Sequence, residues 1–438
     1  MTFFNFPPFA GHTSHASQPP MNVKHTPYLT DGSVPKQYPW LTENQSCEVC
    51  VVGGGLTAAL CALRLTEQGR SVVLIADREI GFGEDACLPV AAEADFGRTL
   101  VEMSRGFDME TSLRLYTLGS AALDELENLC HSLDADEGRN GFSTGFERRD
   151  SLLYTDDESE LELLDREYLA RRHNSFDCTR ITREMVRDSF SFDIAGGILS
   201  KDFGGALNPY HLMHLCLMRA ETKGAGIFEH GGMPDIETPS NQDGSVVVTT
   251  AAGRRIYADR LILATGSRGI ETVLPDFRRR RRYESVSIPV PSEEVNGWPG
   301  LCHIRTFGAP HFTFAFTPDR RIAASEPEHR MFGLGDRVKG LMQIPDPDGQ
   351  TFARIEDTAD FLFPAIPTMR TAFEYAQTYR IAPDGLPVIG THTSFRNCVF
   401  ALCTGPGEVL YSMLAAGYAA DLIEGRHNPD MDLFKVTR

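Results

Sequence analysis

The feature that most restricts this chain is a glycine elbow, Gly53-Gly54-Gly55, set between an apolar strand and an apolar helix. Residues 47–52 (CEVCVV) read as the strand. Residues 56–68 place Leu56, Leu60 and Leu63 at helical spacing, and Gly69 stops the helix. Residues 71–76 (SVVLIA) are a second buried strand. Strand, glycine turn, helix and strand within about thirty residues outline a βαβ unit. The turn itself, Gly53-Gly54-Gly55-Leu56-Thr57-Ala58, reads G-x-G-x-x-A. Gly53 permits the tight turn and Gly55 lets the backbone approach a pyrophosphate. The small Ala58 lets helix and strand pack closely, and the helix N-terminus supplies partial positive charge. Gly54 and Thr57 belong to the same cradle. A glycine-rich turn of another α/β protein has the same letters, but the strand before it and the strand after it favour a dinucleotide site.

Such a site wants an acid at the end of the second strand for the ribose hydroxyls. Spacing puts Ala76 there and Asp77 next. Either Asp77 takes the ribose with a one-residue shift, or it is an ordinary strand-end carboxylate and the contact is missing. A second signal lies far downstream: Leu261-Ile262-Leu263-Ala264-Thr265-Gly266 is an apolar strand ending in Ala-Thr-Gly. A flavin-binding Rossmann domain returns to its sheet in this way, and a domain that binds only NAD does not need it.

Composition narrows the class. The chain has 438 residues, 42 Lys plus Arg against 60 Asp plus Glu, and a formal charge of −18, which argues against a nucleic-acid binder. Hydrophobic residues make up 42%, enough for a large core. No apolar run approaches the roughly 20 residues of a membrane span, and the first residues lack the basic start and apolar stretch of a signal peptide. The 10 cysteines are scattered, which suggests reduced thiols in a cytoplasm. Cys47 and Cys50 form a lone C-x-x-C without further ligands, so no metal site is expected.

Along the chain, residues 1–43 lack periodicity and read as an extension. Residues 96–133 are helical in pattern, 151–155 a strand, and 157–172 an acidic-then-basic surface helix. Asn208-Pro209 opens a helix running to about Lys223. Short strands follow over 225–265, strand-like alternation over 283–330, and a helix over 353–364. Strands lead to the Asp384-Gly385 turn, and a last helix runs from Gly407 to Gly425. The five-arginine run Arg278–Arg282 reads as a solvated, locally neutralised loop. His303, His311 and His329 have no spacing that pairs them with carboxylates and read as surface or core histidines.

Taken together, residues 47–83, Leu261–Gly266 and residues 375–425, with Asp384-Gly385-Leu386-Pro387-Val388-Ile389-Gly390 and a glycine-rich turn into the last helix, resemble the FAD-dependent D-amino-acid oxidase-like superfamily. This group includes glycine and sarcosine oxidases and bacterial amine oxidoreductases. The chain is identified as a divergent member. The resemblance implies an α/β fold, a Rossmann-type FAD-binding domain interleaved with a smaller α+β substrate domain on a mixed sheet. The boundaries it implies are an extension 1–43, a cofactor domain of 44–130, 190–275 and 368–438, and a substrate domain of 131–189 and 276–367. It implies oxidation of a C–N bond of an amine or amino acid by hydride transfer to flavin. Carried over residue by residue, it gives Gly53, Gly55 and Ala58 to the pyrophosphate and places Asp77-Arg78 after the second strand. Met233 then lies along the adenine, Ala264 and Gly266 belong to the second cofactor strand, and Gly405 and Gly407 precede a helix whose N-terminus faces the flavin ring.

The departures are specific. Glu84 and Asp85 stand where the family keeps small residues against the phosphates; either they point to solvent or cofactor binding is weakened. Pro406 removes an N–H donor, and Glu408 adds negative charge at the last turn. For the substrate, Tyr379 occupies the position of a carboxylate-binding arginine, with Arg380 beside it; Tyr379 walls the flavin or packs in the core, and Arg380 binds a carboxylate or faces solvent. Gln377 lies near the place of a flavin-linked cysteine and cannot form that bond, so FAD is expected to be non-covalent. Three readings follow: an FAD enzyme, a catalytically degenerate subunit working with a partner chain or as a homo-oligomer, and an NAD-type dehydrogenase. The late Ala-Thr-Gly strand and the DGLPVIG segment disfavour the last.

Overall fold

The computed structural model describes residues 2–4, 34–82, 84–136, 142–239, 244–274, 276–290, 295, 297–330, 347–364 and 371–438. The side chains of Asp85 and His329, like most of the 1–43 extension, lie outside the described residues. Within that extension Thr2–Phe4 adds an antiparallel edge against Asp235–Thr238.

The first sheet is parallel at its centre: Gly226–Phe228, Val72–Ile75, Gln45–Val52 and Arg255–Leu263 lie side by side in that order. Val49–Val52 and Val72–Ile75 are buried without alternation, as expected for strands covered on both faces. Arg255–Leu263 is one continuous nine-residue strand within the stretch read as short strands, and it branches the sheet. One of its edges pairs with Gln45–Val52 throughout. Its other edge pairs antiparallel with Val246–Thr249 over residues 255–258, then parallel with Phe395–Leu402 over 261–263. This handover brings the C-terminal segment, more than 300 residues downstream, beside the glycine elbow.

Helices Leu56–Glu67, Pro209–Thr222 and Glu408–Ile423 cover one face of this sheet and share one core with it. Ala58, Ala59 and Ala62 are fully buried, and these small side chains allow close helix packing. The Thr57 hydroxyl lies 2.7 Å from that of Ser412, tying the first helix to the last. Asn208 caps its helix by accepting from the His211 N–H at 3.0 Å.

The second sheet runs Thr371–Ile381, Arg278–Ser287, Ile322–Arg330, Thr313–Phe316, His303–Thr306, Glu147–Thr155, Gly196–Ala206, Ala91–Glu93, with Cys178–Thr182 also on Gly196–Ala206. It is mixed: His303–Thr306 and Glu147–Thr155 are parallel, and the remaining pairs antiparallel. Gly196–Ala206 and Thr371–Ile381, which the resemblance assigns to the cofactor domain, pair within this sheet. The fold is therefore a Rossmann-type domain interleaved with an α+β unit on a mixed sheet.

Two sequence expectations are corrected by the second sheet. The arginine run is not a loop. It begins the strand Arg278–Ser287, which lies between two partners, and Arg282 is buried. Arg278 and Arg279 are exposed at the start of the strand, and burial rises along it to Arg282. Nor is the 157–172 segment a surface helix throughout. Helix Leu161–His173 buries Glu167 and Arg171, which neutralise each other four residues apart at 2.7 Å.

Candidate functional site

The glycine elbow forms because two parallel strand ends meet there. Gly53 donates to the Ile75 carbonyl at 3.0 Å, and Ala264 donates to that of Val52 at 2.9 Å. A Cβ on Gly53 would lie 2.2 Å from the Ala264 carbonyl oxygen, and its φ of +146° is one that side chains rarely adopt. A Cβ on Gly54 would lie 2.9 Å from that of Ala76. The glycines therefore allow chain crossing as well as ligand approach.

These residues line a cleft of about 910 Å³, counting its solvent-open mouth. Gly53, Gly54, Gly55 and Thr57 form its floor; Asp77, Arg78 and Met233 stand on one side, Ala264 and Gly266 on the other. Cys403 and Glu408, from the turn into the last helix, line it too. The two distant segments of the sequence therefore meet at one cleft. Ala58 sits behind the floor, fully buried. Met233 is 39% exposed, an unusual position for a thioether unless something apolar covers it. Asp77 is held by Arg268 at 2.8 Å, a cleft arginine that the sequence did not single out. Glu84 faces the cleft and not solvent: a Cβ on Gly266 would lie 3.4 Å from its carboxylate.

Gly405 and Gly407 lie beyond the far end of this cleft and do not line it. Gly407 precedes the last helix and is packed under Phe96, whose Cβ would be 2.8 Å from a Cβ placed there. Beside this turn Arg282 donates to the Cys87 carbonyl at 2.6 Å and to the Gly405 carbonyl at 2.9 Å. Gln377 braces the same turn by donating to the Glu84 carbonyl at 3.3 Å. Tyr379 is buried, donates to the Pro327 carbonyl at 2.9 Å, and lays its ring 5.8 Å from the Arg282 guanidinium. Arg380 pairs with Glu271 at 2.8 Å. Neither Tyr379 nor Arg380 lines the cleft or the cavity described next.

On the other side of Arg282 is a cavity of about 750 Å³, counting its solvent-open mouth, between the second sheet and the loop Pro89–Ala91. Arg282, Glu284, Glu93, Arg305 and His311 line it, with Pro406 at its rim. Glu284 shares a strand face with Arg282, two residues on. Burial pushes its carboxyl up to about 7, against the opposing pull of Arg282. Behind the cavity runs a buried ionic chain. His303 Nδ1 meets Glu93 at 2.5 Å, and Arg305 reaches Glu93 at 3.3 Å and Asp95 at 2.7 Å. Arg171 reaches Asp95 at 3.4 Å and Glu167 at 2.7 Å. Burial opposes the Glu93 charge, but His303 and Arg305 hold its carboxyl below the usual range. His311 lies 3.4 Å from Glu102. Two of the three histidines thus face carboxylates after all, through tertiary packing that sequence spacing does not encode.

A family model described as FAD dependent oxidoreductase matches residues 48–422. The chain belongs to that family. Among curated proteins it is 26% identical over 266 residues to gamma-glutamylputrescine oxidoreductase of Escherichia coli strain K12, a match covering 59% of this chain and 58% of that protein. The chain thus spans little more than half of that relative's length. Glycine oxidase from Geobacillus kaustophilus superposes with a TM-score of 0.68 at 18% identity, over 90% of this chain and 99% of that one. L-amino acid deaminase from Proteus vulgaris gives 0.69 at 17%, over 93% and 100%. At these identities the structures speak for the fold.

The cleft fits the adenosine diphosphate half of FAD. It offers a glycine-lined floor at a helix N-terminus, an acid and two arginines at one wall, and an exposed thioether. Outside this lining, the Arg282 guanidinium links the Cys87 and Gly405 carbonyls next to the turn into the last helix.

Proposed function

We propose that this protein is an FAD-dependent oxidoreductase that oxidises a C–N bond of an amine or amino acid by hydride transfer to the flavin. The observation that carries this reading is the shared cleft: the elbow at Gly53–Gly55 and, from the turn into the last helix, Cys403 and Glu408 line one space. Bound flavin supplies the two-electron acceptor. The chain's own residues bind and orient it. Gly53, Gly54, Gly55 and Thr57, at the start of Leu56–Glu67, hold the pyrophosphate. Asp77 takes the ribose, with Arg268 and Arg78 offsetting the negative charge of Glu84 and Glu408. Met233 covers the adenine, and Ala264 and Gly266 let the nucleotide lie close to the backbone. Gly405 and Gly407 set the last helix with its positive end toward the ring. The cofactor is held non-covalently, since Gln377 offers no nucleophilic sulfur. The second sheet is the substrate unit, the small-molecule substrate enters the cavity beyond Arg282, and Tyr379 keeps Arg282 in place. The compartment is cytoplasmic.

The test is direct: purified protein is yellow, releases its flavin on denaturation, and bleaches when an amine is added without oxygen. A second reading is favoured by the Glu84 and Glu408 carboxylates in the cleft, together with the Arg282 guanidinium lodged between the Cys87 and Gly405 carbonyls. On that reading the chain is a degenerate subunit that acts with a partner. It predicts a colourless, folded protein that takes up no FAD and copurifies with another chain.

A further inference from the structure

The cavity beyond Arg282 has a polarity of its own. Each of its two guanidinium groups is engaged with internal partners through terminal nitrogens. Arg305 grips Asp95 through both oxygens, at 2.9 and 2.7 Å, and also reaches Glu93. The terminal nitrogens of Arg282 point at the Cys87 and Gly405 carbonyls. An incoming carboxylate would meet cations already shared with Asp95 and Glu93, and the further carboxylates of Glu102 and Glu284 on the same lining. Glu284 is in the opposite position. It is 2% exposed, lines the cavity, and its Oε1 has no hydrogen-bond partner among the described residues. A buried carboxylate oxygen in that state costs free energy that a cation would recover.

The surroundings suit an alkylammonium group. Ser325 is the cross-strand neighbour of Glu284 and lines the cavity, as does Thr313, the neighbour of Ser325 on the next strand. Ala315 and Ala323 keep the floor low, and Phe307 and Phe312 supply apolar wall. We propose that this cavity binds a cationic primary or secondary amine, with Glu284 as the carboxylate that receives the ammonium group and the aromatic wall receiving its alkyl chain. The inference rests on the oxidoreductase reading only for what happens next; the binding itself needs no flavin.

The proton balance gives a signature. The groups that face Glu284 are Arg282 on its own strand, Tyr375 on one neighbouring strand, and Arg305, Glu93, Glu102 and His311 around the cavity. With no cation present, Glu284 holds a proton over part of the range below neutrality. An ammonium ion docking there displaces that proton to solvent, so amine binding releases up to one proton and tightens as pH rises from about 5 toward 7.

The experiment is isothermal titration of the full-length protein with n-butylamine and with butyrate, in two buffers of different ionisation enthalpy. The expected result is butylamine binding with proton release, no measurable butyrate binding, and at least tenfold weaker butylamine binding by Glu284→Gln with no proton released. Ser325→Leu, which fills the floor, gives the same loss if Glu284→Gln does not fold. Undiminished butylamine binding in Glu284→Gln, a preference for butyrate, or binding of neither overturns the proposal. A colourless protein that still binds butylamine through Glu284 removes the oxidase reading and leaves this one intact; a yellow protein that binds only butyrate does the reverse.

Discussion

The two spaces on either side of Arg282 are built on different plans. The nucleotide cleft is made of backbone: three glycines, two strand ends and a helix terminus, with side chains at its rim. The facing cavity is made of side chains projecting from one sheet face, set by the register of strands far apart in sequence. A site made of backbone depends on the absence of Cβ atoms and tolerates little insertion. A site made of paired charges depends on every charge keeping its partner. The two therefore fail in different ways, and variants can separate them.

The largest effect is expected at the elbow. Gly53→Val places carbon 2.2 Å from the Ala264 carbonyl oxygen at an unfavourable φ, and should cost about 4 kcal/mol or more. Gly69→Ala has a similarly positive φ of +81° but nothing within 4 Å, and should cost only about 1 kcal/mol. Thermal melting of the pair decides whether crossing sterics or backbone freedom dominates at Gly53; equal losses would count against the crossing argument.

On the cavity side, Arg171→Met strips Glu167 of its cation and leaves Asp95 to Arg305 alone, with both carboxylates still buried, and should cost about 3–5 kcal/mol by chemical denaturation. A loss under 1 kcal/mol would mean that the ionic chain is not coupled as drawn.

The two sides should also answer pH with opposite slopes. Behind the cleft, burial pushes the His214 imidazole down to about 3, and neither of its ring nitrogens has a partner among the described residues. The unfolded chain binds that proton more readily, so this term favours folding above the usual histidine value. It is lost as pH falls from about 6.5 toward 3, on the order of 4 kcal/mol in all. Glu284, pushed up to about 7, binds its proton more tightly in the folded state. Its contribution is present below about 4.5 and is lost as pH rises through 7, on the order of 3 kcal/mol. His214→Leu should flatten the acid limb of a stability–pH profile, and Glu284→Gln the limb toward neutrality. If both variants flatten the same limb, the contrast is wrong.

The smallest effect is expected at the boundary. Arg282→Ala removes two hydrogen bonds to carbonyls and should cost about 1–3 kcal/mol of stability. It also opens the gap between Cys87 and Gly405, so FAD should bind several-fold more tightly than to the parent protein. Weaker FAD binding would make Arg282 a cofactor contact and not an obstruction.

The same contrast explains what could be read from residues alone. The cleft was legible because its requirements are local: Gly53, Gly55 and Ala58 fall within one turn, and Ala264–Gly266 ends one strand. The cavity was not legible. Glu93, Arg282, Glu284 and Arg305 come from three strands, and only pairing brings them together. One local clue existed. The alternation assigned from residue 283 onward extends back through the arginine run, and period two then puts Arg282 with Glu284 on the inner face. The run of like charge suggested solvent and hid that register. Helix Leu161–His173 shows the same effect: its i,i+4 pair Glu167–Arg171 looked exposed because charge usually is, and only the ionic chain around Asp95 makes burial affordable.

The measurement that bears most directly on the whole account is the visible absorption spectrum of the freshly purified protein, repeated after denaturation and removal of the polypeptide. The account predicts flavin bands at close to one equivalent per chain, carried entirely into the supernatant. A colourless protein that stays folded and gains no flavin band on incubation with excess FAD would contradict it.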